Sequence, residues 1–208
     1  MELELSETQS QIKESISKLL EKFDDQYWLE RDETGEFPEE FCQAIADNGW
    51  MGIAMPKEYG GSGLGITEAA ILAQTITESG AGNAGFAAIV IGIFGLNPVV
   101  LFGNEEQKRK WLPPIIKRED VACFAVTEPN TGSDLGSLST RAQLKDDEYI
   151  ITGNKTWITH GARSDLMTVL ARTNMQEKGY KGLSMFLVDK PRGTDKNPFP
   201  MDGMSGKI

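Results

Sequence analysis

Ile12, Ile16, Leu19, Leu20 and Phe23 recur at three- and four-residue intervals, the spacing that lines one face of an α-helix. Ser6 stands ahead of this run with Gln9 three positions on, a capping-box pair that predicts where the helix starts. A second helix is expected from Pro38, a favoured first-turn residue, carrying Phe41 and Ile45 inward and stopping at Gly49. Four glycines between Tyr59 and Gly65 mark a loop. Thr67 is the expected cap of a third helix reaching about Ser79, and Ala84 to Leu96 predicts a fourth, buried on most sides. Asn104 and Gln107 repeat the box-like start before a short helix that Pro113-Pro114 is expected to end.

Beyond Val121 the period shortens. Val121 to Thr127, Thr140 to Lys145, Glu148 to Thr152, Lys155 to Thr159, Leu166 to Ala171 and Leu183 to Val188 read as strands. Turn residues such as Asp146-Asp147 and Gly153-Asn154 separate them. Helices followed by short antiparallel strands argue for an α+β chain of two units: all-α over residues 1–120 and β over residues 121–208, with the boundary near Glu119-Asp120. The segment from Gly193 to Ile208 is loop-rich and ends without a closing element, so the second unit is expected to be incomplete at its C-terminal end.

Composition narrows the function classes. Against 31 acidic side chains there are 21 basic ones, a net charge of −10 with no basic patch, which argues against nucleic-acid binding. Cys42, Cys123 and the single His160 are too few for an ordinary zinc or iron–sulfur site, so no metal is expected and the cysteines read as free thiols in a reducing compartment. Met1 to Leu5 alternates Glu and Leu rather than opening on a basic stretch and an apolar run; no secretory signal is read, and a cytoplasmic, soluble protein of bacterial type is expected. Ser79 to Asn104 holds no charge, but Asn97-Pro98 interrupts its apolar part well short of the about 20 residues that a spanning helix needs. No membrane span is expected.

Two glycine loops fail as phosphate sites. Gly60 to Gly65 follows no clear strand and has Ile66 where the dinucleotide register needs glycine. Gly153-Asn154-Lys155-Thr156 lacks the Gly-Lys step and has Glu148 where the upstream glycine belongs, so a hairpin turn is the better reading. The run Phe124-Ala125-Val126-Thr127-Glu128-Pro129-Asn130-Thr131-Gly132-Ser133-Asp134 is more specific. Pro129 restricts the exit from a strand, Gly132 permits close approach of backbone to a ligand, and Thr127 and Ser133 offer hydroxyls. Trp157-Ile158-Thr159 begins 24 positions after Ser133 and adds a flat indole and another hydroxyl.

The pair resembles the flavin-binding signature of the acyl-CoA dehydrogenase family. Met55 to Gly61 (MPKEYGG) and Phe102 to Lys108 (FGNEEQK) match further landmarks of that family's first domain. The resemblance implies a helical N-terminal domain followed by a β-barrel-like middle domain, with the family's C-terminal helical bundle lying beyond Ile208. It implies FAD as cofactor, lined by Phe124, Val126, Thr127, Gly132 and Ser133, with Trp157 against the isoalloxazine and Ile158 and Thr159 at its N5 edge. Ser133 would also lie near the substrate's CoA. The family's base, a glutamate of that bundle, matches no residue here, so no catalytic residue is assigned and the chain is expected to be nearly inert alone. Glu128 reads as a residue orienting its loop, and His160, where the family commonly has Asn, as a turn residue.

The implied reaction is α,β-dehydrogenation of an acyl-CoA to the trans-2-enoyl-CoA, with electrons passed to an electron-transferring flavoprotein and the full-length form a tetramer or dimer. Two alternatives stay open: an acyl-CoA oxidase-type flavoprotein, and a non-catalytic truncated or partner-binding subunit. Gly92 and Gly95 would either leave room for a longer acyl chain or let helices pack closely.

Overall fold

The computed structural model describes residues 4–207. Most of the Met1–Leu5 alternation, like the final Ile208, falls outside the described residues. The chain divides into two compact units, Met1–Asp120 and Val121–Ile208.

In the first unit α1 (Glu7–Leu20) begins with the capping box read from the sequence: the Gln9 amide donates to the Ser6 hydroxyl at 3.2 Å, and the Ser6 amide to the Gln9 carboxamide at 3.0 Å. Ile12, Ile16, Leu19 and Leu20 are buried along one face. A helix not anticipated, α2 (Asp25–Thr34), follows; Asp24 caps it, Gly35 ends it in the left-handed conformation at φ 71°, and Trp28 is its one buried residue. α3 (Glu39–Asp47) starts after Pro38 and buries Phe41 and Ile45 completely. Phe23, Trp28 and Phe41 meet edge-to-face, with ring centroids 5.1 and 5.4 Å from Phe41.

α4 (Ile66–Ile76) is capped not by Thr67 but two residues earlier, at Gly65. The Glu68 carboxylate accepts from the Gly65 amide at 2.9 Å and from the Gln9 carboxamide at 2.9 Å, which joins the starts of α1 and α4. We expect Ser6→Ala to lower stability by about 1 kcal/mol, read from the urea midpoint; an unchanged midpoint would show that Gln9 and Glu68 hold this end without Ser6.

α5 (Gly82–Phe94), α6 (Asn97–Phe102) and α7 (Glu105–Ile116) complete the unit. α5 is less buried than expected: Gly85, Ala88, Ile89 and Ile93 face the core, while its other flank is half-exposed. α7 runs through Pro113 and Pro114 to Ile116 instead of ending at them. The prolines sit in its last turn, where their carbonyls still accept from the Lys117 and Asp120 amides. The stretch Ile66–Phe102 is long and apolar enough by composition to cross a membrane, a weak sign that core helices share. Gly80 at φ 91° and Gly82 at φ 55° break it, leaving α5 with 13 residues. At 1.5 Å per residue that is about 20 Å, short of a bilayer core of about 30 Å.

The second unit is a five-stranded mixed sheet: β1 (Ala122–Ala125), β2 (Arg141–Lys145), β3 (Glu148–Thr152), β4 (Leu166–Arg172) and β5 (Leu183–Asp189). β4 is central and largely buried. β5 pairs antiparallel along its whole length, so its other edge is left to β1, parallel over Leu166 to Val169, and to β2, which joins at Arg172. The sequence reading of antiparallel strands is thus corrected: β1 and β2 both run parallel to β4. The sheet is barrel-like without closing on itself. β2 and β3 form a hairpin through Asp146-Asp147, with Asp146 at φ 54°.

Candidate functional site

The two signature segments lie on loops of the second unit. Phe124 is half-buried in β1, opposite Thr168 of β4, and Val126 is buried just past the strand end. The chain then turns tightly about Pro129-Asn130: the Glu128 amide donates to the Thr131 carbonyl at 2.9 Å and the Thr131 amide to the Glu128 carbonyl at 3.1 Å. This turn delivers Gly132 and Ser133 to solvent. Arg172 pins the loop beyond them, its guanidinium donating to the Gly136 carbonyl at 2.7 Å and to that of Glu177 at 2.9 Å.

Lys155 to Thr159 is not a strand. A strand needs negative φ throughout, whereas Trp157 stands at φ 58° and His160 at φ 64°. Gly153-Asn154 accordingly is not a hairpin turn but the start of an irregular segment. His160 does occupy a turn, at φ 64°, in a region where Asn, Asp and His are enriched. For an indole the same conformation is an outlier that costs about 1–2 kcal/mol. Trp157 is also 89% exposed, so burial does not compensate for the strain. Strained backbone of this kind persists where surrounding structure over-determines it, and it clusters at ligand sites.

Glu128 is what joins the two loops. Only 5% exposed, its carboxylate accepts from the Ser139 amide at 2.8 Å and hydroxyl at 2.7 Å, from the Thr140 amide at 2.8 Å, and from Lys155 Nζ at 3.1 Å. Lys155 Nζ also donates to the Val126 carbonyl at 2.8 Å, and the Thr156 amide to the Thr127 carbonyl at 3.0 Å. Burial alone would push the Glu128 carboxyl up, but the hydrogen bonds from Thr140 and Ser139 outweigh it and hold the group at about 2. Glu128 is therefore ionised and fully engaged, as the loop-orienting reading expected, and is unsuited to act as a base. Lys155, Ser139 and Thr140 were not singled out by sequence; a buried carboxylate in need of donors was the signal that pointed to them.

What the loops leave free is equally telling. Among the described residues, the main-chain N–H groups of Gly132, Ser133, Trp157, Ile158 and Thr159 donate to no protein acceptor, and the hydroxyls of Thr127, Ser133 and Thr159 have no protein partner. A Cβ added at Gly132 would meet no atom within 4 Å, and its φ lies outside the left-handed region. Neither packing nor backbone conformation demands glycine there, and the open space leaves room for close approach of a ligand to the backbone. Open donors, hydroxyls and an exposed indole fit a flat aromatic group with acceptors along one edge, as an isoalloxazine has. The Ile158 side chain packs against the core formed by Cys123, Ala125, Met167 and Val169, so its open group is the main-chain N–H.

The helical unit decides one question left open by sequence. A Cβ at Gly92 would lie 2.5 Å from Met51 Sδ, and one at Gly95 would lie 2.7 Å from the Ile91 carbonyl. Gly92 thus serves close packing against Met51 rather than leaving empty room, whereas Gly95 is crowded by the preceding turn of its own helix. A groove of about 570 Å³ lies between α1, the start of α2 and the end of α4; Leu20, Phe23, Asp24, Asp25 and Glu78 line it, and it holds no signature residue. Among the described residues no group of three His, Cys, Asp or Glu side chains is placed to hold a metal ion. Cys42 and Cys123 are free and buried, and burial pushes their thiols up to about 12 and about 11, which keeps them unreactive.

Fold and site together define a class: a helical unit, then a mixed-sheet unit that presents two donor-rich loops and an exposed indole. Residues 6–119 match the acyl-CoA dehydrogenase N-terminal domain and residues 123–206 the acyl-CoA dehydrogenase middle domain, and the chain belongs to that family. It is 42% identical over 181 residues to (2S)-methylsuccinyl-CoA dehydrogenase of Cereibacter sphaeroides, covering 86% of this chain and 32% of the relative. Among solved structures, that of an electron transferring flavoprotein of Acidaminococcus fermentans matches at TM-score 0.83 and 33% identity, covering 91% of this chain and 50% of the other. PigA with FAD and proline matches at TM-score 0.83 and 28% identity, over 91% and 50%. The chain thus spans about a third to a half of these relatives' length.

Proposed function

We propose that this chain provides the cofactor-facing part of an FAD-dependent acyl-CoA dehydrogenase, which converts an acyl-CoA to the trans-2-enoyl-CoA and passes electrons to an electron-transferring flavoprotein. The observation that carries this is the strained, exposed Trp157 beside five open N–H donors. The chemistry of three similar proteins supports it: a CoA-thioester dehydrogenase, an electron transferring flavoprotein and an FAD complex.

In this reading Trp157 lies against the flavin ring, and the open N–H groups and the hydroxyls of Thr127 and Thr159 meet its acceptor edge. Phe124 and Val126 form the wall behind, and Ser133 serves both the flavin and the CoA side of the substrate. When bound, FAD supplies acceptance of the β hydride. The residues of this chain orient the ring and offer donors where negative charge develops. Removal of the α proton is assigned to no residue here: of the two carboxylates inside the signature, Glu128 is engaged with four donors and Asp134 accepts from the Ser137 hydroxyl. Acyl-CoA, the electron-transferring flavoprotein and further copies of the chain are the proposed partners, in a reducing compartment such as the cytoplasm where Cys42 and Cys123 stay thiols.

The test is FAD titration of the chain and of Gly132→Ala, followed by quenching of flavin fluorescence. Saturable binding is expected. Gly132→Ala should weaken it about tenfold or more while leaving stability within about 0.5 kcal/mol, since the added methyl meets no protein atom. No saturable binding, or equal affinity in both, would contradict the reading.

A further inference from the structure

The segment from Lys155 to Asp165 contains no strand or helix, yet it holds two non-glycine residues, Trp157 and His160, in the left-handed region. Something must fix it in place, and the sheet ladder does not reach it. Two lysines bracket it. At its start Lys155, whose side chain is 12% exposed, binds the Glu128 carboxylate and the Val126 carbonyl, which ties the segment to the first loop. At its end Lys190, 4% exposed and just past β5, donates to the Ser164 carbonyl at 2.6 Å, the Pro191 carbonyl at 3.2 Å and the Ala162 carbonyl at 3.3 Å. The Lys190 amide donates to the Asp165 carbonyl at 2.9 Å, and the Gly193 amide to the Ala162 carbonyl at 2.8 Å. Two carbonyls of that turn, Ala162 and Ser164, are thus aimed at one ammonium, and a buried cation that lost them would stand short of partners.

We infer that Lys155 and Lys190 are positioning residues which together hold the Trp157 segment in its ligand-ready conformation before any cofactor arrives. Each acts through the groups it clamps, Lys155 through the Val126 carbonyl and the Glu128 carboxylate, and Lys190 through the carbonyls of Ala162 and Ser164. Preorganisation of this kind raises affinity by removing the ordering cost at the moment of binding. The inference rests on the flavin reading for what the segment carries, and on the geometry alone for how it is held.

The test separates those two claims. In the ligand-free 208-residue chain, amide hydrogen exchange is followed at Thr156, Gly161 and Ser164, whose N–H groups are bonded to Thr127, Ile158 and His160. Lys155→Met should speed exchange at Thr156, and Lys190→Met at Gly161 and Ser164, by about tenfold or more, with the β4–β5 ladder unchanged. Lys145→Met, at an exposed position of β2, should change neither. FAD affinity should fall in both Met variants by a similar factor and be unaffected in the control. Unaltered exchange at all three amides would overturn the inference, as would faster exchange with wild-type FAD affinity. Faster exchange in a chain whose wild type binds no FAD would sustain the clamps and remove the flavin reading. If a Met variant loses ladder protection, the Gln variant at the same position is judged by the same criteria.

Discussion

Glu128→Ala should destabilise the sheet unit by about 3–5 kcal/mol, the range for breaking a buried pair so that its partner charge is left uncompensated. Four donors lose their acceptor at once: the Ser139 amide and hydroxyl, the Thr140 amide and Lys155 Nζ. For a chain of this length each kcal/mol moves Tm by about 2–4 °C, so a drop of about 10 °C is expected in a thermal melt. The pH dependence has a definite sign. The folded carboxyl is held at about 2, below its ordinary 4.5, so its contribution is complete above the ordinary value and is lost as pH falls through about 2. That contribution is about 3 kcal/mol at 1.36 kcal/mol per pH unit. Urea midpoints measured from pH 6 to pH 2 should fall for the wild type, with a clearly shallower fall for Glu128→Gln. Parallel profiles would show that Glu128 is not the titrating clasp.

Trp157→Asn should move stability and binding in opposite directions. Asn tolerates the left-handed region, and an indole that is 89% exposed gives up almost no buried surface when removed, so the variant should gain about 1 kcal/mol against unfolding. FAD affinity should fall by about tenfold to a hundredfold, because stacking of an aromatic ring on a side chain such as this is worth about 1–3 kcal/mol. A residue that costs stability and sits in water persists because a ligand uses it. A variant that loses stability, or binds FAD as tightly as the wild type, would count against that use.

The helical unit was legible wherever the chain states its own boundaries. Ser6 with Gln9 and Asn104 with Gln107 are capping boxes in the structure as they are in the sequence, because both halves of the motif are local. α2 escaped because it buries only Trp28 and so shows no apolar period, although Asp24 and Gly35 mark its ends. Thr67 misled because hydroxyl caps are commoner than the Gly65–Glu68 arrangement that actually starts α4. In the sheet unit, Lys155 to Thr159 is rich in β-forming residues (Thr, Trp, Ile, Thr), and only the φ of Trp157 shows that it turns instead. The parallel pairing of β1 with β4 joins residues more than 40 apart, beyond the reach of any turn signal. The site followed the same rule. Its exposed candidates, Gly132, Ser133, Trp157 and Thr159, were named from the signature, whereas the clasp of Lys155 on the Glu128 carboxylate and the Val126 carbonyl, and of Lys190 on the carbonyls of Ala162 and Ser164, joins positions far apart in the chain and leaves no pattern in the sequence.

The most direct measurement is amide exchange, residue by residue, in the chain with and without saturating FAD. The account predicts new protection at Gly132, Ser133, Trp157, Ile158 and Thr159, loop N–H groups with no protein acceptor among the described residues. Protection confined to other residues, for example around the groove between α1 and α4, would contradict it, since the donors and the exposed indole would then have no part in holding the cofactor.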